Sequence, residues 1–129
     1  MSSLASEAYV SLVTFRRNGD GVETPVWIAP DPDDARLYVY TNRTSWKVKR
    51  IRNDPRVRLA PCTASGRVTG GWSDGRARMI DDLSEAQHGF DAVIAKYGWQ
   101  MRAGLFASRL TGRYADRTII EIELTPPAG

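Results

Sequence analysis

The sequence has little of the side-chain chemistry from which metal sites and disulfide frameworks are built. Its 129 residues include one cysteine, Cys62, and one histidine, His88. A lone cysteine excludes an internal disulfide, and a cysteine and a histidine far apart in the chain form no metal-ligand cluster. We therefore predict a protein of a reducing compartment, the cytoplasm, without a metal site built from its own side chains.

Long apolar segments are also missing. No run approaches the length of a membrane span, and the first residues lack a basic region followed by an apolar stretch, so we expect neither a membrane span nor a signal peptide. A hydrophobic content of 42% and a charged content of 26% are ordinary for a soluble globular protein. The length predicts a single domain over residues 1–129, with an ordered core over about 9–124.

Positive charge, in contrast, is concentrated in one window. Seven Lys or Arg residues lie between Arg43 and Arg58 against a single acid, Asp54, so this window carries +6 while the whole chain carries only +3. A local cluster of this kind suits a compact anion such as a phosphate as well as it suits a polymer such as nucleic acid. The window is the first candidate for a binding site.

The hydrophobic pattern predicts a mainly β fold. Residues 9–17 and 22–29 are predicted as strands joined by the Asn18–Gly21 turn, because Asn-Gly and Asp-Gly supply the positive φ angles of tight hairpins. Pro25 lacks an N–H, so the second strand should be an edge strand or be broken locally, where a ligand could approach. Further β segments are predicted at 36–41, at 56–62, before Ile80 and at 117–124, the last with Glu121 and Glu123 facing outward.

The basic window is predicted to form the first helix. Asn42, Thr44 or Ser45 can cap its start, and Pro55 forces it to end at the preceding residue. The predicted inward face of this helix consists of Val48, Ile51 and, less firmly supported by the spacing, Trp46.

Two more helices are predicted near the C-terminus. Ser84 with Gln87 predicts a capping box, and Gly98 a terminator, for a helix over 84–98. Its inward face is predicted to hold Ala86, Phe90, Val93, Ile94 and Tyr97, with His88 as a plain surface residue. A further helix is expected over 99–112. Because the order of elements lacks βαβ alternation, we predict a small antiparallel β-barrel with helices packed on it.

The motifs around the basic window resemble a known family. Thr41-Asn42, Ser45-x-Lys47 and Asn53-x-Pro55-Arg56-Val57 are similar, in this order, to the pattern of pyridoxamine 5′-phosphate oxidase-like, or flavin-reductase-like, split β-barrel proteins. "VETPVWIAPD" and "KYGW" are similar to the actinobacterial branch that binds the deazaflavin coenzyme F420. The resemblance covers about Tyr9 to Leu124.

The resemblance implies a homodimer of split barrels, with the cofactor in a groove at the subunit interface. It implies that the basic helix receives the cofactor phosphate and that the Pro-broken strand and the "KYGW" segment approach the cofactor ring. The polyglutamate tail of coenzyme F420 would give further cations, such as Lys49, Arg43 or Arg56, something to meet. The implied cofactor-binding residues are Thr41, Asn42, Ser45, Lys47, Lys49, Arg50, Pro25, Val26, Trp27, Tyr97 and Trp99.

One departure from the pattern bears on the cofactor. Pyridoxamine phosphate oxidases proper carry Arg-x-Val-Leu-Leu-Lys on the strand before Thr-Asn, whereas the comparable segment here, "PVWIAPD", has no Arg or Lys. This disfavours flavin mononucleotide (FMN) and favours a coenzyme F420-dependent reductase that transfers hydride to a small acceptor such as an enone, a quinone or a tetrapyrrole. No nucleophile–base pair is present, which agrees with chemistry carried by a cofactor.

Three other interpretations remain open at this stage. The protein could hold FMN or haem on the same fold, or it could bind a deazaflavin or a lipid-like ligand without turnover. Alternatively, the basic window could track nucleic-acid phosphates. The last is disfavoured because no helix-turn-helix or RNA-recognition pattern accompanies the window. Lys47 and Arg50 could also be a solvated helix face, and Tyr97 and Trp99 ordinary core aromatics.

Overall fold

The computed structural model describes residues 4–32, 35–42, 45–98 and 117–125, and it confirms a mainly β architecture. In this part of the chain, a 3-10 turn at Leu4–Ser6, seven strands and two helices follow one another. The strands are β1 Val10–Phe15, β2 Gly21–Val26, β3 Ile28–Pro30, β4 Leu37–Asn42, β5 Arg56–Pro61, β6 Ser73–Met79 and β7 Arg117–Leu124; the helices are α1 Trp46–Asn53 and α2 Leu83–Tyr97.

The strands form one curled antiparallel sheet in the order β2-β1-β5-β6-β7-β4-β3. Its two outermost strands, β2 and β3, follow each other in the chain with only Trp27 between them. The strand predicted over 22–29 is therefore an edge strand with a local break, as Pro25 indicated, and the break lies at Trp27. Val26 pairs with β1 and Ile28 pairs with β4, because the chain leaves one edge of the sheet and joins the other. Pro25 lies on an edge strand, as its missing N–H requires.

The interior of the curled sheet is the main core. Fully buried aliphatic side chains from five strands meet there, and each contributes about 1.5–3 kcal/mol by leaving water. They include Val10, Leu12, Ile28, Val39, Leu59, Ile120 and Ile122. Helix α1 contacts β1 and β6 and adds Val48 and Ile51 to this core, as predicted. Trp46 is 70% exposed, so the expectation that it faces inward is wrong.

Helix α2 packs on the outer face of β3, β4 and β7. Phe90 and Val93 meet Tyr38 and Ile119 in a second buried cluster, which confirms the predicted apolar face of the helix. Gly89 brings the helix close to the sheet, since a Cβ placed there would lie 2.7 Å from Ile119 Cγ2.

The two ends of α2 differ in how well the sequence predicts them. The helix starts at Leu83 with Asp82 as its N-cap, whose carboxylate accepts a hydrogen bond from the Glu85 N–H at 2.9 Å. The capping box predicted at Ser84 is therefore wrong, because the Asp82 carboxylate occupies the capping position and Ser84 lies inside the first turn. The predicted end is confirmed, with Gly98 at the C-cap and a positive φ of 58°.

The third predicted helix, at 99–112, lies outside the described residues, as do Arg43, Thr44 and Trp99. Among the helices that are described, none combines the length and the apolar character needed to cross a bilayer.

Candidate functional site

The start of α1 brings together two hydroxyl groups. Ser45 is the N-cap residue of the helix, as predicted, but its side chain makes no capping hydrogen bond. Its Oγ lies 3.5 Å from Oγ1 of Thr41, a buried residue next to the end of β4. The first N–H groups of a helix have no partner within the helix, so hydroxyls and amides here can act together as donors to an anion. Asn42, from the same motif, accepts the Ser45 N–H through its backbone carbonyl at 3.1 Å.

Lys47, in the first turn of the same helix, carries a partly desolvated positive charge. Burial lowers the pKa of its ammonium group, and the neighbouring Arg50 charge lowers it further. No carboxylate in the described part of the chain forms an ion pair with Lys47. A buried charge without a counter-charge is unfavourable, so Lys47 would be stabilised by a bound anion.

Arg50 is held in place by a hydrogen bond to β1. Its Nε donates a hydrogen bond to the hydroxyl of Thr14, which is fully buried, at 2.7 Å. Burial, followed by the charge of Arg16, lowers the pKa of the Arg50 guanidinium. Thr14 and Arg16 were not predicted as site residues, because only the packing of α1 against β1 brings them to Arg50. We call Thr41, Ser45, Lys47 and Arg50 the α1 cationic set.

The remaining cations of the basic window divide into paired and unpaired groups. Arg52 lies 3.8 Å from Asp81, Arg56 lies 2.7 Å from Asp54, and Arg58 lies 3.0 Å from Asp74. Each of these three is thus compensated by an acid, and two of the acids lie far along the chain. The structure places Arg56 against Asp54 rather than leaving it open for a ligand.

Lys49 belongs to the unpaired group. Its Nζ lies 4.4 Å from the centre of the Trp46 ring, a cation–π contact on the solvent side of α1. It therefore faces a different part of the surface from Lys47, although both are unpaired cations of the same helix in the described part of the chain.

The predicted ring-contacting residues lie around the break between β2 and β3. Pro25 is exposed, Val26 is buried in the interior core and Trp27 is half-buried. The Trp27 ring stacks on Tyr97, with 4.5 Å between ring centroids and 10° between the planes. We call Trp27 and Tyr97 the aromatic stack. The stack thus connects Trp27, between β2 and β3, to the last residue of α2.

Backbone groups hold the aromatic stack in position. The Tyr97 hydroxyl lies 2.8 Å from the Ala8 carbonyl and accepts the Ile28 N–H at 2.9 Å. Beside it, Lys96 donates to the carbonyls of Glu7 and Ile28. Burial raises the pKa of Tyr97 and lowers that of Lys96. These bonds give both residues a structural role that anchors α2 to the barrel.

No hydrogen bond, ion pair or ring contact among the described residues joins the α1 cationic set to the aromatic stack. Within one chain they are two separate groups. A site that uses both would have to bridge them with a ligand or take one group from a second subunit.

His88 is exposed, as the sequence predicts, but it also contacts a buried polar group. Its Nε2 lies 2.9 Å from Oδ2 of Asp31, whose side chain is only 7% exposed. The Tyr38 hydroxyl donates to the same oxygen at 2.5 Å. Burial and then the hydrogen bond to Asp31 raise the pKa of Tyr38 well above its usual value. This cluster ties α2 to β3 and β4.

Glu121 faces outward, as predicted, yet it is not exposed to solvent. It lies on the outer face of β7 but is buried beneath two arginines, Arg36 at 3.3 Å and Arg78 at 2.9 Å. The alternation of the strand predicts which face a side chain is on, but it does not show that the face is covered.

A family model described as pyridoxamine 5′-phosphate oxidase matches residues 2–125. The chain belongs to the pyridoxamine 5′-phosphate oxidase family. The curled antiparallel sheet is the split β-barrel of that family, which confirms the predicted fold. No curated protein matches the sequence.

Solved structures show the same fold at low sequence identity. A conserved hypothetical protein of Mycobacterium tuberculosis has a TM-score of 0.70 at 18% identity, with 98% of this chain and 82% of that one covered. An FAD-binding protein of Mesorhizobium loti has a TM-score of 0.60 at 21% identity, with coverages of 98% and 91%. A haem storage protein of Vibrio cholerae has a TM-score of 0.63 at 12% identity, with coverages of 98% and 86%. Proteins that share this fold thus include one named for FAD binding and one named for haem storage.

Proposed function

We propose that this family member is an oxidoreductase that binds coenzyme F420 and receives the coenzyme's phosphate at the α1 cationic set. The observation that carries the proposal is Lys47, a half-buried cation with a lowered pKa and no carboxylate partner among the described residues. A phosphate supplies the missing counter-charge, and charge-assisted hydrogen bonds to it are about twice as strong as neutral ones.

The donors around Lys47 suit a phosphate in kind and in number. Thr41 and Ser45 offer hydroxyls 3.5 Å apart, and the start of α1 offers N–H groups and the positive end of the helix dipole. Arg50 adds a guanidinium that Thr14 holds in place. A ligand that binds here therefore meets a largely preorganised set, which reduces the entropy lost on binding.

One feature favours a deazaflavin over FMN. The short strand β3 and the residues beside it, Pro25 to Asp31, contain no Lys or Arg for a second contact with an FMN phosphate. An FAD-binding protein among the structural neighbours supports a flavin-type ligand in general.

A bound deazaflavin supplies hydride transfer, so the protein's own residues need only bind, orient and shield it. The α1 cationic set would fix the phosphate end, and the aromatic stack offers a flat apolar surface for a ring. The proposed acceptor is a small enone, quinone or tetrapyrrole. We propose a homodimer in which the groove lies between the subunits, because the two groups make no contact within one chain.

Haem is the weaker candidate despite the haem storage protein among the neighbours. The chain has a single histidine, and its Nε2 already contacts the buried carboxylate of Asp31 at 2.9 Å. An axial haem ligand would need that nitrogen or another donor.

The test is a binding titration of the purified protein with coenzyme F420 and, separately, with FMN. We expect coenzyme F420 to bind more tightly, and Lys47→Ala to weaken its binding by about tenfold or more, the usual effect of losing a hydrogen bond to a charged group. Arg52→Ala is the matched control on the same helix, because Arg52 already faces Asp81. The Arg52→Ala protein should bind coenzyme F420 as tightly as the unmodified protein.

Three results would change the proposal. Preference for FMN would assign the protein to a flavin oxidase-like function, and binding of neither cofactor would overturn the cofactor assignment. If coenzyme F420 binds but its reduced form turns over no enone, quinone or tetrapyrrole, the protein is a binding protein without catalysis.

A further inference from the structure

A pocket with a volume of about 610 Å³ lies between the turn that follows β1 and the solvent side of α1. It is separate from the hydroxyl groups and the lysine of the α1 cationic set, and it shares only Arg50 with that set. Its lining residues are Phe15, Arg16, Arg17, Trp46, Lys49, Arg50 and Asn53.

Both walls of the pocket are built from regular structure. Trp46, Lys49, Arg50 and Asn53 have the spacing i, i+3, i+4 and i+7, which places them on one stripe of α1. The opposite wall is the hairpin turn from Phe15 to Arg17. Its backbone is closed by hydrogen bonds from Arg16 N to Asp20 O and from Gly19 N to Arg16 O, each 2.9 Å long. The pocket is therefore preformed rather than made by loose loops.

The charge of the pocket has one sign. Four of its lining residues are cations and none is an acid. Within the described part of the chain, none of these four forms an ion pair with a carboxylate. Arg16 and Arg50 repel each other closely enough to lower the pKa of Arg50. A ligand with several negative charges would relieve this repulsion, whereas a neutral ligand would not.

The pocket also offers a flat aromatic surface. Trp46 is 70% exposed, which leaves a large apolar ring in water beside a cation-rich cavity, and Phe15 forms the far wall. Lys49 covers the Trp46 ring at 4.4 Å. Aromatic rings of this kind stack on flat heterocycles, while nearby cations bind the anionic groups attached to them. The amide of Asn53 adds a group that both donates and accepts hydrogen bonds.

We propose that this pocket is a second ligand site, which takes a flat heteroaromatic ring carrying two or more phosphate or carboxylate groups, as in a nucleoside diphosphate. The ring stacks on Trp46, and the anionic groups bind Arg16, Arg17 and Lys49. The site is distinct from the phosphate site of the proposed coenzyme, although Arg50 borders both.

The test is calorimetric titration with four probes: ADP and folate, which join a flat ring to anionic groups, and adenosine and pyrophosphate, which each supply only one of the two features. We expect ADP or folate to bind at least about tenfold more tightly than adenosine or pyrophosphate, since each half of the ligand contributes roughly one charged hydrogen bond or stacking contact. A preference for ADP identifies phosphate as the anionic group, and a preference for folate identifies carboxylate.

Variants then locate the binding. Arg17→Gln and Trp46→Leu should each lower the affinity for the tighter-binding probe by about tenfold. Arg67→Gln and Trp72→Leu are matched controls that make the same changes outside the pocket, and they should leave the affinity unchanged. A folded Trp46→Leu protein that binds as well as the original would overturn the proposal. So would loss of a dimer in this variant without loss of probe binding, because Trp46 would then belong to a subunit interface.

Competition separates this proposal from the coenzyme assignment. Saturating ADP or folate should leave coenzyme F420 bound, and Lys47→Ala should leave the binding of the probe unchanged. Displacement of the probe by the coenzyme would overturn the second site, because the pocket would then be part of the coenzyme site. Probe binding without any coenzyme binding would overturn only the coenzyme assignment.

Discussion

At the scale of the residue, the protein distinguishes cations with a structural role from cations left for a ligand. Arg52, Arg56 and Arg58 each meet an acid, whereas Lys47 and Arg50 bury part of their charge without one in the described part of the chain. Unpaired buried charges reduce stability and are typical of functional sites. This contrast, rather than the number of basic residues, selects the α1 cationic set.

Replacement of Lys47 by Met should therefore stabilise the protein without its ligand while weakening coenzyme binding. Relief of the repulsion with Arg50 alone is worth about 0.2–0.5 kcal/mol. Because the folded-state pKa of Lys47 is lowered, its charged form is unfavourable in the folded state at neutral pH. That penalty begins to fall as the pH rises past the lowered folded-state pKa and is gone above the ordinary lysine pKa of the unfolded state, so the advantage of Lys47→Met should shrink in alkaline buffer.

Thermal melts of the unliganded protein at neutral and alkaline pH test this expectation. Lys49→Met is the control, because it removes a charge from an exposed position on the same helix. A Lys47→Met protein that melts below the original at neutral pH would show that Lys47 has a stabilising partner.

At the scale of the element, the close approach of α2 to the sheet depends on a residue without a side chain. A Cβ at Gly89 would lie 2.7 Å from Ile119 Cγ2 and 3.2 Å from Tyr38 Cδ1, and both side chains are buried. Neither neighbour can move far in a close-packed interior. The same helix anchors the aromatic stack through Tyr97, so its distance from the sheet also positions part of the proposed site.

Gly89→Ala should destabilise the protein by about 1–3 kcal/mol through overpacking, reduced by up to about 1 kcal/mol from the better helix propensity of alanine. Gly71→Ala is the matched control, since a Cβ there meets nothing within 4 Å. Urea denaturation of both variants measures the difference. Equal stability of the two would mean that α2 can shift on the sheet without cost.

At the scale of the whole molecule, the curled sheet places the α1 cationic set and the aromatic stack at different points of one chain. The chain crosses from one edge of the sheet to the other at Trp27, so the aromatic stack lies at this crossing. Helix α1 instead packs against β1 and β6. A groove between two subunits can combine the cationic set of one with the stack of the other. This arrangement would make the dimer a condition of function.

Mixed dimers test the arrangement directly. Lys47→Ala and Trp27→Leu should each weaken coenzyme binding as pure proteins. A dimer that joins one subunit of each kind has one groove with both groups intact and one with neither, so mixing should restore tight binding in about half of the grooves of mixed dimers if the groups come from different subunits. Titration of the mixed sample against the two pure variants measures the restored fraction.

The same mixture has a clear contrary outcome. If both groups of a groove come from one chain, every groove in the mixed dimer carries a defect, and mixing restores no tight binding. Sedimentation of the mixture, with one variant fluorescently labelled, confirms that subunits have exchanged before the titration is read.

Local sequence determined much of the secondary structure and the family. The Asn18–Gly21 turn, the end of α1 before Pro55 and the end of α2 at Gly98 all follow from backbone rules that act over a few residues. The motifs around Thr41 and Lys47 were sufficient to predict the split barrel, because they lie close together in the chain. Features that depend only on residues close together in the chain can be predicted without the tertiary structure.

Tertiary structure alone decided the features that depend on distant partners. The break at Trp27 follows from the closing of the sheet, and the hydrogen bond from Arg50 to Thr14 follows from the packing of α1 on β1. Asp74 and Asp81 compensate two arginines that the sequence window counted as available. Charge along a chain can be counted in advance, but its availability depends on which opposite charges the fold brings within a few ångströms.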